Sequence, residues 1–172
     1  TLSESLLQEI LKENDLTNVT LPMAGYLLQN VVEKRKHQGL SKLKFATVFP
    51  YSCHYYQLRD WLKAAKVSLD DVEMLVVPPV SMVECLKNGD IDGFCVGGPW
   101  NTKAVRAGIG ITALTSFDIW QDSPEKVLGL LDSFNKKHPN TVLALCAALK
   151  QACAWLESVP NRFEAARLLC RQ

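Results

Sequence analysis

Three short stretches hold the residues whose types and spacing suit the binding of a small anion. In residues 89–101 an apolar run ends at Gly97 and Gly98, passes through Pro99, and continues from Trp100 with helical character. Peptide N–H groups at a helix start lack intrahelical acceptors and sit at the positive end of the helix dipole, so such a joint attracts anions. Glycines let a ligand approach the backbone, and a proline at the first helical position gives up no needed donor. Trp100 can wall a pocket or pack its helix onto a sheet. An ordinary strand–turn–helix joint without a ligand has the same spacing. His54 falls in the first turn of a helix that follows an apolar strand, where an imidazole can donate to a bound oxyanion or pack at the sheet edge. Lys126, within residues 124–129, offers an ammonium that can neutralise an anion, or is a lone surface lysine. The candidate ligand-binding residues are therefore His54, Gly97, Gly98, Trp100 and Lys126. Tyr51, Tyr55 and Tyr56 are candidates for lining a cleft.

Catalytic patterns are not seen. There is no Gly-x-Ser-x-Gly and no His-Glu-x-x-His. Cys53 and His54 are sequence neighbours, which rarely meet as nucleophile and base. Asp90 and Asp92 flank a strand start, at the end opposite the expected site, and read as solvated turn residues. The six cysteines (Cys53, Cys85, Cys95, Cys146, Cys153 and Cys170) include no CxxC pair, and no histidine stands at zinc spacing beside them. They read as small buried hydrophobes, and unpaired thiols lean towards a reducing compartment. No enzyme activity, cofactor or metal site is expected.

The elements that must position these groups follow from periodicity. A helical stripe is formed by Leu2, Leu6, Leu7, Ile10 and Leu11, and a second helix is expected over 22–36 with Leu27, Leu28, Val31 and Val32 inward. Its basic end, 33–37, reads as a solvated helix terminus rather than a nucleic-acid patch, because no aromatic residues interleave it. Strands are expected over 44–49, 72–77 and 91–96, each followed by a helix: 53–65 capped by Ser52, 82–88 capped by Ser81 and ended by Gly89, and 100–107. This β-α-β-α-β-α order argues for parallel strands. In such a sheet ligands collect outside the carboxyl ends of the strands, here the segments beginning at Phe49, Val77 and Val96. After Gly110 the rhythm changes. A strand is expected over 111–115, a turn over 117–120, a loop and short strand over 124–129, and helices over 131–137, 140–158 and 162–170, the last capped by Asn161. The break suggests two parts, 1–114 and 115–172.

Lysine plus arginine number 19 and aspartate plus glutamate 18, so bulk charge steers the chain to neither nucleic acid nor anionic membrane. No run approaches the roughly 20 apolar residues of a membrane helix. The opening at Thr1, without Met, suggests either that something was removed upstream or that this is an excised piece of a longer protein.

The motifs at Phe49-Pro50 with His54, Val77-Pro78-Pro79, Asp92-Gly93-Phe94-Cys95-Val96-Gly97 with Pro99-Trp100-Asn101, and Pro124-Glu125-Lys126-Val127-Leu128-Gly129 resemble the solute-binding proteins of ABC-type nitrate, bicarbonate and sulfonate transporters. They are also similar to cytoplasmic nitrate sensors on the same fold. The resemblance implies an α/β, periplasmic-binding-protein-like (type II) lobe: a mostly parallel sheet flanked by helices, plus C-terminal helices of an incomplete first lobe. It makes 1–114 the anion-binding lobe two and 115–172 the segment returning to lobe one. It implies nitrate or nitrite as ligand, a membrane permease and ATPase or a regulatory partner protein as partners, and a periplasmic or cell-envelope location (cytoplasmic for the sensor). His54, the Gly97 N–H and Lys126 match positions that hold the oxyanion. Gly98 stands where the family usually has Glu, which argues against a calcium-assisted bicarbonate site. An enzyme of the same lobe architecture, or the effector lobe of a transcription regulator, would need residues or an upstream motif not placed here. Loss of a partner lobe would expose apolar surface and favour a homo-oligomer or an exchanged segment.

Overall fold

The computed structural model describes residues 1–124 and 126–170; Glu125, Arg171 and Gln172 lie outside the described residues. The chain forms two compact units, Thr1–Glu125 and Lys126–Gln172. In the first unit the elements run β1 (Leu2–Ser3), α1 (Glu4–Glu13), α2 (Gly25–His37), β2 (Leu43–Thr47), α3 (Cys53–Ala64), β3 (Val72–Val76), α4 (Pro79–Asn88), β4 (Gly93–Cys95), α5 (Trp100–Arg106), β5 (Gly110–Ile111) and α6 (Ser116–Ile119). The second unit holds α7 (Asp132–Lys137), α8 (Pro139–Leu156) and α9 (Val159–Leu169).

The five strands are ordered β3-β2-β4-β1-β5. β2 pairs in parallel with β3 and β4, as the alternating strand and helix rhythm implies, while β1 runs antiparallel to both β4 and β5. The sheet is therefore mixed. Leu2 and Ser3, expected to open a helix, are strand residues; Ser3 ends the strand and caps α1, its Oγ accepting the Leu6 N–H at 3.1 Å. Side chains alternate across the central strands. Leu43 and Phe45 join α1, α2 and α3 in one buried cluster, whereas Ala46 and Phe94 join α4 and α5 in another. Helices thus cover both faces of the sheet.

Local chemistry explains most boundaries. The Ser52 hydroxyl accepts the Tyr55 N–H at 3.2 Å and starts α3. Gly89 ends α4 at φ +76°, a left-handed conformation that glycine adopts without strain. Ser81 does not cap α4 as expected. The helix starts earlier at Pro79, where a missing N–H costs nothing, and the Ser81 N–H is taken by the Pro78 carbonyl. Asp92 is not a free turn residue: its carboxylate accepts the Lys44 N–H at 2.8 Å, locking the start of β4 to β2. The strand expected over 111–115 shrinks to β5. The basic end of α2 is tied down by ion pairs, Lys34 with Glu13, Arg35 with Glu9 and Lys36 with Asp71.

α2 crosses close to the end of α3. A Cβ built on Gly25 would lie 2.6 Å from Ala65 Cβ and 2.9 Å from its Cα, so glycine permits this approach. Gly25→Ala should force the helices apart and cost about 1–3 kcal/mol. Thermal unfolding tests this, and an unchanged midpoint would contradict it.

In the second unit Pro139 opens α8, and α8 and α9 meet at a bend of 113°. No single described helix is long and apolar enough to cross a membrane. Asn161, expected as a cap, sits inside α9, where its Nδ2 donates to the Trp155 carbonyl at 2.8 Å; Ser158 holds the cap position instead. The short strand expected over 124–129 is not formed among the described residues of that stretch.

Candidate functional site

Order and helix placement together create a crevice. α3 leaves β2 on one face of the sheet, and α5 leaves β4 on the other. Neighbouring parallel strands whose outgoing helices part in this way leave a gap at their carboxyl ends, the topological switch point where α/β sheets hold ligands. A cavity of about 320 Å³ lies there. Its walls include Phe45 of β2, His54, Leu58 and Trp61 of α3, Cys95 to Gly98 at the end of β4, Asn101 of α5, and Thr112 to Ser116 with Ile119 after β5.

His54 and Gly97 face each other across this space. A Cβ built on Gly97 would sit 3.9 Å from His54 Nε2, and one on Gly98 would sit 3.7 Å from Asn101 Oδ1. The bend therefore presents bare backbone between an imidazole and a side-chain amide. His54 and Gly97 are half-buried and Gly98 is exposed. Around them stand the hydroxyls of Thr112, Thr115 and Ser116, and no Asp, Glu, Lys or Arg is among the described lining residues. Burial pushes the Cys95 thiol up, so it stays protonated at neutral pH and is a poor nucleophile. Among the described residues no three metal-ligating side chains gather.

Trp100 is not among the lining residues. It packs on the α4–α5 cluster, with Lys103 Nζ 5.6 Å from its ring centroid. Lys126 is an exposed residue of the second unit. The Val77-Pro78-Pro79 strand end also contributes nothing to the walls, because β3 lies at the sheet edge beyond β2. Residues not singled out from sequence are Asn101, Thr112, Thr115 and Ser116, together with Gln57 behind the wall. Gln57 carried a readable signal: a polar residue within the buried stripe of α3, beside Leu58, Trp61 and Leu62.

The rim is pinned at Thr115, whose N–H and Oγ1 both donate to Asp118 Oδ2, at 2.6 and 2.7 Å. The backbone bond, then the hydroxyl bond, holds the Asp118 carboxyl below the usual carboxylate range. A depressed pKa favours the folded turn above the unfolded value of about 3.9, and this support is lost as pH falls through the lower folded value. The Thr115 amide resonance should therefore hold its position on acidification until below the ordinary carboxylate range. A shift centred at the ordinary value would contradict the pairing.

The crystal structure of the periplasmic nitrate-binding protein NrtA from Synechocystis superposes over 98% of this chain and 40% of its own, with a TM-score of 0.78 and 28% identity. The chain is 38% identical over 144 residues to the bicarbonate transport ATP-binding protein CmpC of Synechococcus elongatus, covering 83% of this chain and 21% of that protein. It is 35% identical over 127 residues to the nitrate/nitrite binding protein NrtA of Nostoc, covering 73% of this chain and 29% of that one. It thus spans 21%, 29% and 40% of these proteins' lengths. Fold and crevice define the class: an α/β structure of the periplasmic-binding-protein fold. The chain belongs to the NMT1-like family, whose profile matches residues 8–170.

Proposed function

We propose that this chain supplies the oxyanion-holding lobe of an ABC-type solute-binding protein, with nitrate as the ligand. The observation that carries this reading is the opposition of His54 Nε2 and the Gly97 backbone in the switch-point cavity. In this reading His54 donates to one nitrate oxygen, and the Gly97 and Gly98 N–H groups donate to others. Nitrate is planar, weakly basic and singly charged, so neutral donors suffice to hold it and no carboxylate is needed to accept a proton. The absence of acidic groups from the described walls removes repulsion. Lys126 lies in the second unit, so its counter-charge role rests on the family motif and is tested separately by Lys126→Ala. The assignment of 1–114 and 115–172 to two lobes belongs to the same proposal, as do an ABC permease and ATPase as partners and a periplasmic location. The names of the related transport components support the partners and the location. Self-association of the chain is consistent with exposed Leu143, Leu149, Phe163 and Leu169, and sedimentation at high concentration tests it.

The chain alone should bind nitrate weakly, in the millimolar range, because further donors of a two-lobed site would come from outside it. Calorimetry showing micromolar affinity, or none at all, would contradict this. Gly97→Ala is a second probe. Its backbone is outside the left-handed region, and the added methyl meets only His54, at ordinary contact distance. Folding should be unaffected, with a stability change within about 0.5 kcal/mol. The methyl would occupy the anion's space, so affinity should fall about tenfold, some 1.4 kcal/mol. Unchanged nitrate affinity in this variant would remove Gly97 from the site.

A further inference from the structure

We propose that Gln57 is a positioning residue for this cavity: its buried amide holds the 112–116 wall against α3, and so at a fixed distance from His54. The buried polar side chains among the described residues are Ser3, Thr47 and Gln57. Gln57 is 2% exposed and sits on α3 one turn beyond His54, next to Leu58, which lines the cavity. Burying an amide costs free energy unless it is hydrogen-bonded, and an apolar residue would pack this stripe of α3 without that cost. The amide is satisfied: among the described residues no buried side-chain nitrogen or oxygen lacks a partner, and Gln57 Oε1 accepts from Ser116 Oγ at 3.2 Å.

That bond joins groups 59 residues apart. Ser116 is both a cavity-lining residue and the first residue of α6, whose start is fixed by the Thr115–Asp118 bonds. The stretch between β5 and α6 has no strand pairing of its own. Ala113, Leu114 and Ile119 pack it on the core, and it is tied by the Met23 N–H bond to the Ala113 carbonyl at one end and by the Gln57–Ser116 bond at the other. Removing the second tie loosens the Thr115–Ser116 end of the wall and leaves the His54–Gly97 side in place.

The binding arm of the test rests on the anion-holding reading, and the structural arm does not. In the 172-residue chain, Gln57→Met keeps volume and removes the acceptor, Ser116→Ala removes the donor, and Ser116→Thr retains the hydroxyl. Ser116 is exposed, so its variants keep the test open if Gln57→Met fails to fold. Amide hydrogen exchange over 112–119 should quicken in Gln57→Met and Ser116→Ala, while β3 and α4 exchange as before. Nitrate affinity should fall about tenfold in each, some 1.4 kcal/mol, because the Thr115–Ser116 wall no longer keeps its distance from His54. Ser116→Thr should restore both readouts, and the double variant should be no worse than either single one. Unchanged exchange over 112–119, or additive losses in the double variant, would overturn the proposal. Quickened exchange in a chain that binds no nitrate would support the positioning role and sink the anion reading.

Discussion

His54→Ala should weaken anion binding by about ten- to a hundredfold while leaving the fold intact. A hydrogen bond to a charged partner is worth about 1.5–3 kcal/mol, which converts to that range of affinity. The imidazole is half-buried in the first turn of α3, and the start of that helix is fixed by Ser52 rather than by His54. Truncation therefore removes a donor without removing a cap. Calorimetric titration with nitrate, alongside a thermal melt, separates the two effects. Equal affinity in the variant would exclude the imidazole from the site, and collapse of the melt would show that His54 is a packing residue.

Phe45→Ala should be the most damaging single core change, costing about 3–5 kcal/mol. Such domains have only about 5–15 kcal/mol of net stability, so this variant approaches unfolding. Phe45 is 1% exposed on the interior strand β2, packed with α1, α2 and α3. Its ring lies so close to β4 that a Cβ added at Gly93 would come within 3.0 Å of it. The same ring forms part of the cavity floor. A urea-unfolding loss below about 1 kcal/mol would show that the neighbours collapse into the void.

Much of the central architecture was readable because it rests on local signals. β-prone runs closed by Pro50 and by Pro78-Pro79 marked β2 and β3, Ser52 marked the start of α3, and Gly89 marked the end of α4. The strand-end rule placed His54 and Gly97 at one sheet edge, and the structure brings them face to face. What was not readable depends on pairings distant in sequence. Leu2 and Ser3 are strand residues only because Gly93, Gly110 and Ile111 lie alongside them, and a two-residue strand shows no periodicity. The Val77-Pro78-Pro79 end had the same local features as the Gly97-Gly98 end. Strand order separates them, since β4 adjoins the crevice and β3 is at the edge. Trp100 carried no mark of its face: its packing on the α4–α5 cluster depends on tertiary contacts that its own segment does not pattern. Ser116 gave no sign of its bond to Gln57, because neither residue is patterned for the other.

The most direct measurement is an anomalous difference map from a crystal of the protein soaked in bromide, a monovalent anion that scatters anomalously. A peak is expected between the His54 imidazole and the Gly97–Gly98 backbone, within hydrogen-bond reach of both. An empty cavity with bromide only at the lysines of the α2 end would contradict it.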